Sequence, residues 1–130
     1  MRLLIDTHVW LWRLLAPERL SADAENAIAD RDSELFLSPV STWEALVLAR
    51  KGRLSLTPSP SAWVVDALRR SAPVAVPLTH DIALRSEALE GFGSDDPADR
   101  FLVATALEHE LTLVTADATM HAFGPVPTVW

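Results

Sequence analysis

The apolar residues of this chain fall into short continuous runs that alternate with longer stretches of helical periodicity. The short runs predict five strands, at residues 3–5, 35–37, 74–78, 111–115 and, at the end, 126–130. The helical stretches cover residues 9–15, 22–31, 41–51, 61–71, 79–89 and 98–109. Strands and helices therefore succeed each other along the whole sequence.

Stop and start signals support these boundaries. Pro17 stops the first helix, and Gly52 follows the third at the position where helices commonly end. Ser21, Ser61 and Thr79 stand where the cap of a helix is expected. Pro77 is better tolerated near the end of the third strand than in its middle.

Strands separated by helices favour parallel pairing through right-handed crossovers. We expect an α/β fold in a single domain, residues 1–130, built as a three-layer α/β/α sandwich around a mainly parallel sheet of four or five strands. Both faces of such a sheet are covered, in agreement with its nearly all-apolar strands. Ligand sites in these sheets lie at the carboxyl ends of the strands.

Acidic residues occupy that edge of the predicted sheet. Asp6 follows the first strand, Asp117 follows the fourth, and Glu44 lies near the start of the helix after the second. Asp96 and Asp99 begin the helix that leads into the fourth strand. We expect these carboxylates, from four separate segments, to converge.

Glu44 is the most informative of these acids. It is the only charged residue between positions 35 and 49, in a helix with apolar residues on all sides, and such a helix is expected to be buried. A buried carboxylate is costly without a partner, and a divalent cation is one such partner.

Helix capping is the alternative explanation for each acid alone. Ser41-Thr42-Trp43-Glu44 matches a capping box, and Asp96-Pro97-Ala98-Asp99 is a good helix start. Asp6 and Asp117 can each cap the helix that follows. Capping does not, however, predict that the acids meet at one edge.

Composition adds a constraint on partners. The net charge is −7, and Lys51 is the only lysine beside ten arginines, so the chain lacks the basic character of proteins that bind phosphates by net charge. A cluster of carboxylates needs a cation, and all-oxygen ligands favour Mg²⁺ or Mn²⁺. A basic protein partner fits the same charge. Without cysteine, and without a leader-like or membrane-spanning stretch, we expect a cytoplasmic protein that does not enter a membrane.

Four stretches of the sequence closely resemble the PIN-domain ribonucleases, specifically the VapC-like toxins of type II toxin–antitoxin pairs. They are Leu3-Leu4-Ile5-Asp6-Thr7-His8, then Ser38-Pro39-Val40-Ser41-Thr42-Trp43-Glu44, then Asp96-Pro97-Ala98-Asp99-Arg100 continuing into Ala104-Thr105-Ala106, and finally Leu113-Val114-Thr115-Ala116-Asp117. Their order and spacing span essentially the whole chain. Two departures stand out: Ala98 replaces a frequent aromatic residue, and the loop at 91–95 carries an extra acid and no basic residue.

The resemblance implies a Mg²⁺- or Mn²⁺-dependent endoribonuclease that uses a metal-activated water and leaves a 5′-phosphate and a 3′-hydroxyl. By position, Asp6, Glu44 and Asp99 match the family's core acids, Asp117 its fourth acid and Asp96 an additional one. All five are predicted metal ligands, and the first four are the predicted catalytic residues. The resemblance also implies an RNA substrate, a homodimer and inhibition by a cognate antitoxin.

Several other residues have open roles. Thr7 or Thr115 would orient a ligand or a water, and Arg100 would bind phosphate or form a salt bridge with Asp96. Arg50-Lys51-Gly52-Arg53 would guide an RNA backbone or simply suit a helix C-terminus. Trp10 and Trp12 would form a partner-facing patch or pack in the core. The four histidines, at positions 8, 80, 109 and 121, show no metal-ligand spacing.

Other functions compete with the nuclease. A phosphoacceptor receiver domain would need an acidic pair after the first strand and a Lys after a later one, and an aspartyl phosphatase would need Asp-x-Asp where His8 stands. A catalytically idle domain that only binds a partner would not need the complete acid set found here.

Overall fold

A computed structural model describes all residues, 1–130, as a five-stranded sheet with seven α-helices. The strands are β1 (Arg2–Ile5), β2 (Glu34–Leu37), β3 (Val74–Ala75), β4 (Thr112–Val114) and β5 (Thr128–Val129). The helices are α1 (Thr7–Leu15), α2 (Ala22–Ala29), α3 (Pro39–Arg50), α4 (Pro60–Ser71), α5 (His80–Ser86), α6 (Pro97–Glu108) and α7 (Ala118–Ala122), with a 3-10 turn at Pro17–Arg19. The predicted alternation of strands and helices is confirmed.

All strand pairs are parallel, in the order β3-β2-β1-β4-β5. The chain moves outward from β1 to β3, then crosses back to place β4 on the other side of β1. Leu4 thus pairs with Phe36 in β2 and with Leu113 in β4. The reversal between β1 and β4 opens a crevice at their carboxyl ends, where ligands of open α/β sheets bind.

The sheet is covered on both faces, because successive side chains of a strand point in opposite directions. Leu3 and Ile5 pack in a core with α1 to α4, whereas Leu4 packs in a second core with α6 and α7. This confirms the three-layer α/β/α arrangement. None of the helices has both the length and the apolar character of a membrane span.

Several element boundaries differ from the prediction. The third strand stops at Ala75: the Val76 N–H makes the last bond, to the Leu37 carbonyl, and the neighbouring strand then gives way to α3, where Pro39 has no N–H to continue the ladder. The helix after Thr79 ends at Ser86, three residues earlier than expected. Helix α4 is capped by Ser59 with Pro60 at its first position, so Ser61 is not the cap. The expected stop at Gly52 is confirmed, with a φ of 72° just after α3.

Helix α3 differs in burial as well as in length. It begins at Pro39 with Ser38 as its cap, so the capping box expected from Ser41 to Glu44 is wrong. Its apolar character on all sides predicted complete burial, yet the Trp43 side chain is 56% exposed. The sheet covers only one side of the helix, and the outer apolar side chains remain at the surface.

Candidate active site

The five acids singled out in the sequence line one cleft of about 390 Å³ at the carboxyl edge of β1 and β4. We call this cleft the acidic cleft. Its walls are formed by Asp6, Glu44, Asp96, Asp99 and Asp117 together with His8, Trp12 and Ala116. The crossover topology thus brings together segments that are more than a hundred residues apart.

Asp6 lies at the deepest level of the acidic cleft, with only 7% of its surface exposed. It caps α1 by accepting a hydrogen bond from the His8 N–H, and its other oxygen accepts a 2.6 Å hydrogen bond from the Thr115 hydroxyl. Burial raises the pKa of Asp6 above its ordinary value, although these hydrogen bonds oppose the shift.

Glu44 projects from α3 toward the N-terminus of α1. The Thr7 hydroxyl donates to Glu44 Oε1 at 2.6 Å and lies 2.8 Å from the Ser41 hydroxyl. A hydroxyl has only one proton to donate, and the proton of Thr7 is used on Glu44. The Ser41 hydroxyl is therefore the donor to Thr7. Burial raises the pKa of Glu44, and the charge of Asp6 acts in the same direction.

Asp99 lies in the first turn of α6, which Asp96 caps by accepting a hydrogen bond from the Asp99 N–H. The Ser94 hydroxyl lies 3.1 Å from Asp99 Oδ2 and donates to it. Burial, followed by the charge of Asp96, raises the pKa of Asp99 to about 6. The pKa of this carboxyl group therefore lies closer to neutral pH than that of an ordinary aspartate.

Arg100 holds the loop that precedes α6. Its guanidinium donates to the carbonyl oxygens of Ser86 and Ser94, both at 2.9 Å. The salt bridge expected between Arg100 and Asp96 is wrong. The physical reason is that the carbonyls in the last turn of α5 lack helical partners, and Arg100 satisfies the one of Ser86.

Asp117 caps α7 by accepting hydrogen bonds from the N–H groups of Thr119 and Met120. Its own N–H donates to the Thr115 hydroxyl, which links Asp117 to Asp6 through one side chain. Capping and membership of the cleft therefore coexist in Asp6, Asp96 and Asp117, and the two explanations weighed from the sequence do not exclude each other.

The donor set suits a hard divalent cation. The cleft offers carboxylate oxygens, none of the four ion pairs of the structure involves these acids, and the only basic side chain in the lining is His8. No three side chains are close enough together to bind one ion directly. Mg²⁺ keeps several of its waters and commonly uses only one or two carboxylates, so this spacing fits coordination that is partly through water.

Sequence reasoning set aside residues that the structure places at the site. His8 lines the acidic cleft, and the His121 ring lies 2.6 Å from the Thr115 carbonyl oxygen, to which Nε2 donates. In the sequence, only the position of His8 two residues after Asp6 could have indicated that His8 belongs to the site. Of the two tryptophans of α1, Trp10 is buried and Trp12 lines the cleft.

Comparison with known domains shows to which family the chain belongs. The model of the PIN domain matches residues 3–124, almost the entire chain. The chain belongs to the PIN-domain family. The resemblance found in the four sequence stretches is thereby confirmed.

Relatives of this PIN domain have the same extent. It is 36% identical to Ribonuclease VapC22 of Mycobacterium tuberculosis over 129 residues, which cover 98% of this chain and 97% of that protein. Its fold is similar to the structure of VapBC2 from Rickettsia felis bound to a promoter DNA fragment, with a TM-score of 0.73, 10% identity and coverage of 98% and 97%. VapBC-5 from Mycobacterium tuberculosis gives a TM-score of 0.64 at 18% identity, with coverage of 98% and 96%.

Proposed function

We propose that this PIN domain is a Mg²⁺- or Mn²⁺-dependent endoribonuclease, the toxin of a toxin–antitoxin pair, with residues 1–130 as its single nuclease domain. The observation that carries the proposal is the acidic cleft, in which five carboxylates from four segments meet and none of them forms an ion pair. Full-length similarity to a ribonuclease of the VapC type supports the choice of RNA as substrate.

The reaction we propose is hydrolysis of a phosphodiester bond. Water attacks phosphorus, the bond to the 3′ oxygen breaks, and that oxygen takes up a proton, which leaves a 5′-phosphate and a 3′-hydroxyl. A bound Mg²⁺ or Mn²⁺ supplies charge stabilisation for the phosphate and lowers the pKa of a water. We assign Asp6, Glu44 and Asp99 to holding the ion, directly or through water, and Asp117 and Asp96 to completing the set.

The hydroxyl groups around the cleft orient these acids. Thr115 fixes Asp6, Thr7 fixes Glu44, and Ser94 fixes Asp99, each through one hydrogen bond. Each carboxylate therefore keeps a second oxygen without a hydroxyl donor. Of the two roles predicted for Thr7 and Thr115, we therefore assign them the orientation of a metal ligand rather than of a water.

Purified protein incubated with mixed single-stranded RNAs tests the proposal. We expect cleavage in Mg²⁺ or Mn²⁺, none in EDTA, and a loss of about 100-fold or more in kcat/KM for Asp6→Asn and Asp99→Asn, because several kcal/mol of charge stabilisation depend on the ion. Asp32→Asn is the matched control, since Asp32 is exposed in the turn before β2, at the opposite edge of the sheet. Cleavage that survives in EDTA or in either site variant contradicts the mechanism.

We further propose that a basic segment of the cognate antitoxin neutralises the acidic cleft. The net charge of −7 and the five carboxylates of the cleft, none of which takes part in an ion pair, favour a basic partner. An inserted Arg or Lys side chain would supply the positive charge and displace the ion. In the cleavage assay, we expect such a segment to inhibit the protein and added Mg²⁺ to relieve this inhibition by competition.

The cytoplasmic location stays a prediction.

We also propose a homodimer, and the outer face of α3 supports it. A cavity of about 280 Å³ opens there, lined by Pro39, Val40, Trp43, Leu78, Pro97 and Phe101. Trp43 and Leu78 are 56% and 44% exposed. Contiguous exposed apolar surface of this kind is typical of an interface between proteins.

The rival functions are less well supported. A receiver domain has the strand order 2-1-3-4-5, whereas this sheet has the order 3-2-1-4-5. A catalytically idle binding domain has no need for hydroxyl groups that orient three separate carboxylates, and such groups are present here.

A further inference from the structure

A second groove of about 400 Å³ adjoins the acidic cleft, and we call it the Trp12 groove. His8 and Trp12 line both cavities, so the two form one continuous surface. The other walls of the Trp12 groove include Leu15, Arg19, Arg53 and Leu54, from α1, the 3-10 turn and the segment after α3. Nothing in the proposed cleavage chemistry uses these residues.

Trp12 is the centre of a cluster of flat groups, with Arg19 over its ring and two tilted rings beside it. The Arg19 guanidinium lies 4.5 Å from the centre of the Trp12 ring. The rings of Trp130 and His8 lie 5.8 and 6.0 Å from it, tilted by 54° and 53°. Such contacts hold the indole in place and stabilise a cation above it. Because the Trp12 ring is already held in place, little conformational entropy is lost when a ligand binds to it.

The basic groups of the groove have no acidic partner. Arg19 and Arg53 are exposed, and neither takes part in the four ion pairs, which use Arg2, Arg69, Arg70 and Arg85. In a chain with a net charge of −7, two unneutralised guanidinium groups thus stand next to the cleft. This charge suits an anionic ligand that also extends into the acidic cleft.

We propose that the Trp12 groove is a subsite for one nucleotide of single-stranded RNA, adjacent to the phosphodiester bond that is cleaved. This inference rests on the proposed ribonuclease function and specifies its substrate as unpaired. The base stacks on the Trp12 and Arg19 layer, and the Arg53 guanidinium binds a phosphate. Proteins stack unpaired bases on aromatic rings and on guanidinium planes, whereas bases inside an A-form duplex are already stacked. The volume of the groove is in the range of small-ligand sites.

The test uses a short single-stranded oligoribonucleotide that the wild-type protein cleaves at one bond in Mg²⁺. Each base in turn is replaced by an abasic ribose, and kcat and KM are measured for every substrate. We expect one position close to the cleaved bond where loss of the base raises KM by about tenfold, the size of one base–aromatic stack, with kcat unchanged. A duplex of the same sequence is cleaved more slowly than the single strand.

Variants identify the groove as the origin of this effect. Trp12→Leu keeps apolar volume but removes the ring, so KM for intact RNA rises about tenfold and the abasic position loses its further effect. Because Trp12 is half-buried, the double variant Arg19→Gln/Arg53→Gln, at exposed positions, provides a second measurement. It raises KM and makes KM less dependent on salt. Arg31→Gln, at an exposed position in the turn before β2, is the control and leaves KM unchanged.

The outcomes separate this inference from the proposed function. If wild-type protein cleaves the RNA while Trp12→Leu and Arg19→Gln/Arg53→Gln match Arg31→Gln, the subsite is overturned and the ribonuclease proposal stands; a protein segment is then the better occupant. An abasic effect of equal size in Trp12→Leu and in wild type also overturns it. Absence of any metal-dependent cleavage removes both proposals.

Discussion

Among single residues, Asp99 shows that a carboxylate assigned to the candidate active site lowers the stability of the metal-free fold. Its pKa in the folded chain is about 6, against an ordinary value of 3.8, and burial beside Asp96 is the cause. The stability that this group contributes is fully present below about pH 4, and it is lost as the pH rises through about 6. At neutral pH the ionised Asp99 therefore destabilises the metal-free fold.

We expect Asp99→Asn to raise the melting temperature of metal-free protein by a few degrees at neutral pH, because the side chain can no longer ionise. The difference from wild type shrinks as the pH falls toward 4. Added Mg²⁺ stabilises the wild-type protein and has less effect on the variant. Thermal unfolding followed by circular dichroism measures all three. Lower stability of the variant at neutral pH would contradict the assigned burial of charge.

Arg100 offers a second prediction at this scale. Its guanidinium reaches two carbonyls in different directions, and an ammonium group on a flexible stem does not match both. We expect Arg100→Lys to lower kcat/KM for RNA by about tenfold, because one lost hydrogen bond of about 1 kcal/mol loosens the loop whose Ser94 orients Asp99.

Arg85→Lys is the matched control for this substitution. Arg85 forms an exposed ion pair with Glu108, which a lysine also forms. Equal activities of Arg100→Lys and Arg85→Lys, measured with the same RNA, would show that Arg100 does not position the loop.

Sequence patterns identified the acids but, apart from Thr7 and Thr115, not the residues that support them. Four of the acids follow a strand or begin a helix, and Glu44 is the lone charge in an apolar helix, so a linear pattern is enough to find each of them. Ser94, Ser41 and His121 act across loops and between elements, through contacts that depend on how α1, α3 and α6 pack. Such contacts leave no periodic signal, and a short polar residue in a loop has many ordinary explanations.

On the scale of elements, the end of α3 depends on the conformation of one glycine. Gly52 has a φ of 72°, and the N–H of Arg53 bonds back to the Leu48 carbonyl to close the helix. The Trp12 groove includes Arg53, so this turn also sets the position of a residue in the proposed subsite.

We expect Gly52→Ala to reduce the free energy of unfolding by about 1–2 kcal/mol, the cost of a left-handed conformation in a residue with a Cβ. No atom lies within 4 Å of the added Cβ, so the cost is conformational and not steric. Gly124→Ala is the control, because Gly124 is equally open and has no positive φ. Urea unfolding compares the two, and equal stabilities would contradict this explanation.

Predicted elements failed mainly where tertiary structure determines the outcome. Helix α3 has apolar residues on all sides, and sequence alone does not show that the sheet covers one side only. The third strand is short because it pairs on one side only and its neighbour β2 ends at Leu37, and its Val74 remains 45% exposed. Strand order also lies outside local pattern, because it depends on which crossover packs best.

For the molecule as a whole, the exposed apolar face around Trp43 leads to a prediction about assembly. We expect Trp43→Glu to convert a dimer into a monomer in sedimentation velocity, because a charge in an apolar interface is costly. Val65→Glu is the control, since Val65 is 67% exposed on α4 and does not line that cavity. A monomeric wild-type protein, or equal masses for both variants, would contradict the proposed interface.

The pairing of β1 with β4 has a consequence for the protein during its synthesis. Asp6 accepts a hydrogen bond from the hydroxyl of a residue 109 positions later in the sequence. At ordinary rates of translation, that residue is synthesised about 5–22 s after Asp6. Until then the first strand has no neighbour on that side, and the cleft lacks Asp117, which follows Thr115 in the sequence. A chain that ends before β4 therefore lacks Asp117, and the acid set is complete only when translation is nearly finished.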